Sequence, residues 1–557
     1  MAPGTARGRC SDPFRGLRRW AAPAGLFLLA LAIRALAAAL LPAPPTEGSA
    51  WYADVAAAIA TGRGAVADAT WSYATPPLVL PKPAFELWMP LASLVALPAI
   101  ALLGPGWAAV QAAGIVVGAA AAPLAWAVGR DAGRRAGLPE RRVTAVALAS
   151  GLLVACLAPL VLAAAAPEST NVFLVAGLCV ALCVPRALAG PAPGLRGRLP
   201  GFALGIALGL CWLARQEAIW LGAVVLALIA GRALRADGGR RVVRGAALLA
   251  PVVVGGLCVV VPWLVRQALT FGSPFPGQAS ENLWLVANPQ IFAWAERPES
   301  AAYLARGPVA LLEDRVRAVV AQLTDVLLLP AFPAGIAGLA AVAGMRRSPA
   351  LRSASPLAVL LLGGGLTFLA TALLFPVATL WGTFLHASGP LLAGLAVVAV
   401  LGGDALLARI SRRRGWAREN VVLAPAALLV CAVALLALQL TAERSRVAAA
   451  SARLTAIAAD LAARDVDAVL IADQPVRLAD ATGRFTVVLP DEPGAAVLDL
   501  ARHYGTRTVV ILGERGRYPE AYLAGPERGC LAGPPERIGP SDAPAWLLRL
   551  GEACPPT

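Results

Sequence analysis

EGSAWYADVAAAIATGRGAVADATWSYATPPLVLPKPAFELWMPL, residues 47–91, is a polar, aromatic and proline-rich stretch in an otherwise strongly apolar chain. It carries Lys82, the only lysine; nearly every other cation is an arginine. Its placement decides the topology, because it begins after one apolar run and ends inside the next. The run before it, 22–41, is long enough to cross a bilayer and follows Arg7, Arg9, Arg15, Arg18 and Arg19. It is longer than a signal-peptide core and reads as an uncleaved first span with a cytoplasmic start. The run after it, 87–103, has two readings. If it spans, the loop holding Arg130, Arg134, Arg135, Arg141 and Arg142 falls outside, against the positive-inside rule. If it lies along the outer surface, as Pro90 and Pro98 favour, the second span is 107–128 and that loop becomes cytoplasmic.

The second reading orders the rest of the chain. Spans follow near 143–164, 172–185, 200–214, 218–231, 246–264, 323–344, 356–375, 389–408 and 421–440. The arginine clusters at 186–198, 232–244, 346–352 and 409–418 then share the cytoplasmic side. The expectation is a mainly α, polytopic membrane protein of about eleven transmembrane helices, with interfacial helices in the first external loop. A basic N-terminus (1–22) precedes the transmembrane part (23–442), whose first external loop is 43–106. From 443 to 557, "DVDAVLIADQP", "GRFTVVLPDEP" and "AAVLDLARHYGTRTVVILGE" alternate β-rich and helical runs, as in a small extracytoplasmic α/β domain. The composition agrees: 557 residues with 58% hydrophobic residues and a mean hydropathy of +0.70 exclude a soluble protein. The net charge of +15 sits in short clusters between apolar runs, which sets topology and argues against nucleic-acid binding.

Nine cysteines and two histidines are present. Cys156, Cys179, Cys183, Cys211, Cys258 and Cys431 lie in apolar runs and read as small buried hydrophobes. Cys530 and Cys554 are placed to form a disulfide if their region is extracytoplasmic. Two histidines exclude a multi-histidine metal site, and no HExxH, P-loop or GxSxG motif occurs.

In this topology the external segments collect the unusual residues. The first loop holds Glu47, Asp54, Asp68, Lys82 and Glu86 with Trp51, Tyr52, Trp71, Tyr73 and Trp88. "APESTN" brings Glu168, "LARQEAIW" brings Arg215 and Glu217, the stretch from "PWLVRQ" brings Arg266 and Glu281, and "PVATLWGTFLHASGP" brings His386. Charges near a bilayer are costly and mark sites or pathways. Plain alternatives stand beside this: Arg215 and Arg266 as snorkelling ends, Glu47 as a helix cap, Asp68 as a turn residue, Asp54 as merely solvated, Glu86 serving a helix dipole. Arg34, inside the first span, either snorkels or faces the site. Such a face suits transfer of a sugar from a lipid-linked phosphate. The lipid stays in the bilayer, cations hold the leaving phosphate, a carboxylate takes the acceptor proton, and aromatics stack on sugar.

The chain resembles the C-type (GT-C) membrane glycosyltransferases, which include protein O-mannosyltransferases and aminoarabinose-lipid A transferases, and within them the bacterial RgtA/B/C/D-like branch. The resemblance covers roughly 25–445. It rests on "EGSAWYADVAAAIATGRG", "DATWSY", "PKPAFELWMPL", "PEST", "LARQEA", "PWLVRQALTFGSPFPGQ" and "WGTFLH". It implies an inverting transferase in the bacterial inner membrane, using a polyprenyl-phosphate-linked sugar and an envelope glycan, lipid or protein acceptor. Glu47 matches the first-loop catalytic acid. Many relatives carry a doubled acid close before the tyrosine, whereas here Glu47 is followed by "GSAW", so Glu47 and Asp68 compete for the role of base. Glu168 matches the second-loop acid, a catalytic candidate that in relatives binds a metal or orients substrate. No cofactor is fixed; a divalent cation stays open, with Glu168 and Asp68 as candidate ligands. Lys82 is the first candidate for the donor phosphate, with Arg215, Arg266 and His386 behind it. Tyr52, Trp71, Trp88 and Glu217 are candidate substrate contacts. Glu47, Asp68, Lys82, Glu168, Arg215 and His386 are expected to line one external cavity.

Two other classes compete. A transporter or lipid flippase would draw on Asp325 and Arg34 within spans, but the sequence shows no internal repeat and no paired broken helices. A non-enzymatic envelope scaffold would place binding in the C-terminal region.

Overall fold

The computed structural model describes residues 15–189, 194–235, 239–352, 354–415, 423–513 and 518–554. Most of the basic N-terminal segment, and Arg418, lie outside them. Helix α1 (Arg15–Ala39) is followed in the first loop by α2 (Glu47–Ala60), three two-residue strands, β1 (Val66–Ala67), β2 (Ala69–Thr70) and β3 (Lys82–Pro83), and α3 (Leu91–Leu103). The bundle continues with α4 (Trp107–Ala119), α5 (Ala121–Arg135), α6 (Glu140–Cys156), α7 (Ala158–Ala165), α8 (Ser169–Leu188), α9 (Leu195–Ala214), α10 (Ala218–Leu234) and α11 (Arg240–Phe271). Short helices α12 (Ser300–Ala305) and α13 (Gly307–Gln322) lead to α14 (Ala334–Met345), α15 (Pro356–Leu374), the small α16 (Pro376–Thr379) and α17 (Thr383–Ala387), then α18 (Gly389–Arg414) and α19 (Leu423–Ala462).

Among the described residues, eight helical stretches are long and apolar enough to cross a membrane, nine when the pair α6–α7, bent by 52°, counts as one span. Helices α4 and α5 run together as one such stretch. Two of the eleven expected spans are shorter than a full crossing. Helix α10 has 17 residues. The stretch 323–344 splits into a π-helical segment, Leu323–Leu328, and the 12-residue α14, because Pro330 and Pro333 stand between them. Helix α3, 13 residues, is about 20 Å long and too short for a hydrocarbon core of about 30 Å. It packs on α2, where Ser93 Oγ donates to the Tyr52 carbonyl at 2.9 Å.

Helix α18 runs through the centre of the bundle, with 67% of an 18-residue apolar stretch buried, whereas the corresponding stretches of α11 and α19 are only 17% and 11% buried and present apolar side chains outward, as lipid-facing helices do. Helices α9 and α11 approach so closely that a Cβ on Gly205 would sit 2.0 Å from the Val252 carbonyl oxygen, and one on Gly255 2.2 Å from that of Phe202; only glycine permits this crossing. Arg34 is fully buried and faces inward, donating to the Val154 and Ala155 carbonyls at 3.4 and 3.2 Å. Those carbonyls lie just before the α6–α7 bend, so Arg34 supplies donors to backbone that the break deprives of helical partners. Of the apolar-run cysteines, Cys156 and Cys211 are buried, while Cys258 is exposed on α11.

After α19 come β4 (Val469–Ala472), α20 (Pro475–Thr482), β5 (Phe485–Val488), α21 (Gly494–Tyr504), β6 (Thr508–Ile511), α22 (Tyr518–Leu523), β7 (Glu536–Ile538) and β8 (Ala545–Arg549). The expected boundary at 442–443 falls inside α19, a single helix of 40 residues; beyond Pro425 its sequence holds no helix breaker. The sheet order is β2-β5-β4-β6-β8-β7. Its edge strand β2 belongs to the first loop and pairs in parallel with β5, Ala69 opposite Thr486 and Thr70 opposite Val487. Cys530 and Cys554 are joined as a disulfide.

Candidate active site

The site is built at the start of α2. Thr46 caps the helix: its Oγ1 accepts from the Ser49 amide at 3.0 Å, while Ser49 Oγ accepts from the Thr46 amide at 3.1 Å. Thr46, not Glu47, therefore serves as cap, and the Glu47 carboxylate is left for other partners. Oε2 accepts from Trp71 Nε1 at 3.1 Å, and Oε1 from the Val476 amide at 3.1 Å, at the first turn of α20. Glu47 is 8% exposed. A buried carboxylate fixed by two N–H donors is an oriented proton acceptor.

Trp71 also lines a small cavity of about 20 Å³ with Trp51, Lys82, Phe85, Glu86 and Trp88. Trp71 and Trp88 stand 4.9 Å apart, and Trp51 meets Trp88 at 4.7 Å and Phe85 at 5.3 Å. Lys82, 2% exposed, donates to the Ser72 and Thr75 carbonyls at 2.7 and 3.3 Å and pairs with Glu86 at 3.0 Å. These three acceptors use all three of its N–H groups. Burial lowers the Lys82 pKa, with Glu86 opposing, and burial pushes Glu86 up to about 7, with Lys82 opposing. Glu86 thus partners Lys82 rather than a helix terminus. Phe85 holds a φ of 74°, strained for a bulky residue. It is fixed there by Gln267 Nε2, which donates to its carbonyl at 2.7 Å. Arg266 NH1 donates to the Ala84 carbonyl at 2.9 Å and its guanidinium lies over Trp263 at 5.3 Å; its NH2 has no partner among the described residues.

A second group lies on the other side of the α2 start. Glu168 is the N-cap residue of α8. Its Oε1 accepts from Thr46 Oγ1 and its Oε2 lies 3.1 Å from His386 Nδ1, which is also 3.1 Å from Thr170 Oγ1. A Cβ on Gly48 would come within 3.2 Å of the Glu168 carboxylate, so α2 passes directly over it. Arg215 pairs with Glu217 through two bonds, 2.6 and 3.1 Å, and donates to Ser169 Oγ at 2.7 Å. Tyr52 stands beside Ser169, Arg215 and Glu168, and burial raises its pKa. Burial lowers the His386 pKa, opposed by Glu168, so the ring is neutral near pH 7.

The expected single cavity is therefore two adjacent groups hinged on Thr46–Glu47: Lys82, Glu86, Arg266 and the tryptophans on one side, Glu168, Arg215, Glu217, His386 and Tyr52 on the other. Asp68 joins neither. It pairs with Arg63, NH1 to Oδ2 at 3.0 Å, and is 37% exposed. Nor do Glu168 and Asp68 converge as cation ligands: each is engaged by different partners, and among the described residues no group of three His, Cys, Asp or Glu side chains gathers. The residues in place do not fit that cation pair. Sequence reasoning missed Thr46, Ser169 and the Val476 amide. Thr46 had a signal in its spacing to Ser49; the Val476 amide had none, since only tertiary structure brings α20 to Glu47.

No protein-family model matches the sequence, and no curated protein sequence matches it. Solved structures do. The chain is similar to ArnT from Cupriavidus metallidurans in the apo state, with a TM-score of 0.54 at 15% identity over 96% of this chain and 99% of that one. Against the same protein bound to undecaprenyl phosphate the TM-score is 0.53 at 15% identity, with the same coverage. The archaeal oligosaccharyltransferase AglB from Archaeoglobus fulgidus, in complex with an inhibitory peptide and a dolichol-phosphate, gives 0.50 at 12% identity, over 96% of this chain and 74% of that one. The fold of this chain is therefore similar to that of ArnT.

Proposed function

We propose that the protein is an inverting glycosyltransferase that moves a sugar from a polyprenyl-phosphate donor to an envelope acceptor at the outer face of a bacterial inner membrane. The observation that supports this best is Glu47: a buried carboxylate oriented by two N–H donors, one of them Trp71, which also lines the cavity holding Lys82. The fold adds weight, since solved neighbours are bound to undecaprenyl phosphate in one case and in complex with a dolichol-phosphate in another.

In this reading Glu47 takes the proton from an acceptor hydroxyl. The acceptor oxygen bonds to the anomeric carbon from the face opposite the phosphate, the carbon–phosphate-oxygen bond breaks, and the lipid phosphate leaves with the electron pair. Lys82 and Arg266 hold that anion. Glu86 occupies their field in its absence, and its raised pKa lets it accept a proton when phosphate brings negative charge. Trp71 and Trp88 stack on the sugar. Glu168, His386, Arg215 and Glu217 brace α2 against α8 and position Glu47 from behind. Asp68, paired outward, is the weaker candidate for base. The disulfide between Cys530 and Cys554 suits an oxidising, extracytoplasmic setting. The test is transfer from polyprenyl-phosphate sugars by membranes holding wild type or Glu47→Gln; loss in the variant at equal protein level is expected.

A further inference from the structure

The bundle end opposite the candidate active site carries a second, larger cavity, of about 420 Å³. Helices α8 and α10 begin at the candidate site with Ser169 and Ala218, and end at this cavity after 20 and 17 residues, roughly 25–30 Å away. Its lining includes Leu188, Leu228 and Gly231, with Arg135, Arg232 and Arg235. Arg135 Nε donates to Asp131 at 2.6 Å and Arg232 Nε to the Leu188 carbonyl at 3.3 Å. The terminal nitrogens of both, and the whole Arg235 guanidinium, have no partner among the described residues. Among the described residues, three cations facing one carboxylate leave a net positive pocket with open guanidinium forks, the geometry that suits a phosphate. Beside it α10 carries Leu226 and Leu234 outward, 54% and 64% exposed, as a flank for hydrocarbon.

We infer that this cavity binds the headgroup of an anionic phospholipid from the leaflet opposite the active site, with the phosphate between Arg232 and Arg235 and an acyl chain along α10. A zwitterionic lipid brings its own cation and gains little from the arginines. A free phosphate ion has no use for the apolar flank. Basic pockets between helix ends are where such headgroups are held.

The test uses the full-length protein purified in detergent, with phosphatidylglycerol, phosphatidylcholine or inorganic phosphate added, and reads lipid retention by native mass spectrometry together with the melting temperature. Two variants are compared with wild type. Arg232→Gln/Arg235→Gln removes the charges. Gly231→Phe fills the cavity, since a Cβ at Gly231 meets nothing within 4 Å. Phosphatidylglycerol is expected to bind and raise the melting temperature of wild type. Its affinity should fall roughly thirtyfold in the double variant, at about 1 kcal/mol per arginine and about 1.4 kcal/mol per tenfold, and clearly in Gly231→Phe. Without lipid, both variants should melt with wild type. Equal retention by wild type and both variants, equal retention of phosphatidylcholine, or the same stabilisation by inorganic phosphate alone would each overturn the assignment.

Discussion

At the scale of single residues, the buried charges fall into two kinds: those with every partner in place and those left with spare donors. Lys82 is of the first kind, so its substitution has a structural cost that must be separated from any role in transfer. Lys82→Met leaves the Glu86 carboxylate buried without its cation and strips the Ser72 and Thr75 carbonyls of a donor. Breaking such a pair costs about 3–5 kcal/mol, so the melting temperature in detergent should fall sharply. The deficit should shrink as pH falls, because Glu86 then carries a proton. Lys82→Met/Glu86→Gln should recover much of the stability and none of the transfer activity; recovery of both would remove Lys82 from phosphate binding. His386 supplies a second test. Its folded pKa lies below the ordinary 6.5, so the unfolded chain binds its proton first. Stability from this group is complete above pH 6.5 and is lost as pH falls from there through the folded pKa. The melting temperature should rise with pH across that window, and His386→Asn should flatten the rise; an unchanged slope in the variant would show that His386 is not held neutral by burial.

At the scale of elements, the first loop is tied to the C-terminal sheet through β2, and the start of α20 reaches Glu47. Thr70→Pro takes an amide N–H and the fully buried Thr70 side chain out of the β2–β5 pairing. The expected effect is a lower melting temperature and faster proteolytic cleavage in the loop between α1 and α3. Cleavage at the wild-type rate would mean that β2 contributes nothing to holding the loop. The arrangement also shows what was legible beforehand. The apolar runs, the arginine clusters and the proline-marked α3 were readable, because span length and charge asymmetry are local properties of sequence. Glu47 and Glu168 stood out as acids beside membrane spans. The break at 323–344 was signalled by Pro330 and Pro333 but masked by hydropathy. The pairing of β2 with β5 was not legible: two residues give no periodicity, and their partner lies more than 400 positions away in sequence.

At the scale of the whole molecule, α19 links the membrane bundle to the sheet as one helix, and the sheet returns to the first loop, so the candidate site is closed by residues from both ends of the chain. Asp68 illustrates why acids in sequence do not amount to a site: Arg63, five positions earlier, holds it outward. The bundle separates two chemistries along its axis, a buried carboxylate with tryptophans at one end and an arginine-lined cavity at the other. The transporter reading finds little here, since Asp325 is answered by its neighbour Thr324, whose Oγ1 donates to it at 2.7 Å, and Arg34 is bound to backbone carbonyls. The measurement that decides most is transfer of radiolabel from a panel of polyprenyl-phosphate sugars by membranes carrying wild type or Glu47→Gln at equal protein level. Loss of a general base typically costs about 10²- to 10⁴-fold in rate, and a fall of that order at equal protein level is the predicted result. Wild-type transfer that survives the substitution would contradict Glu47 as the base.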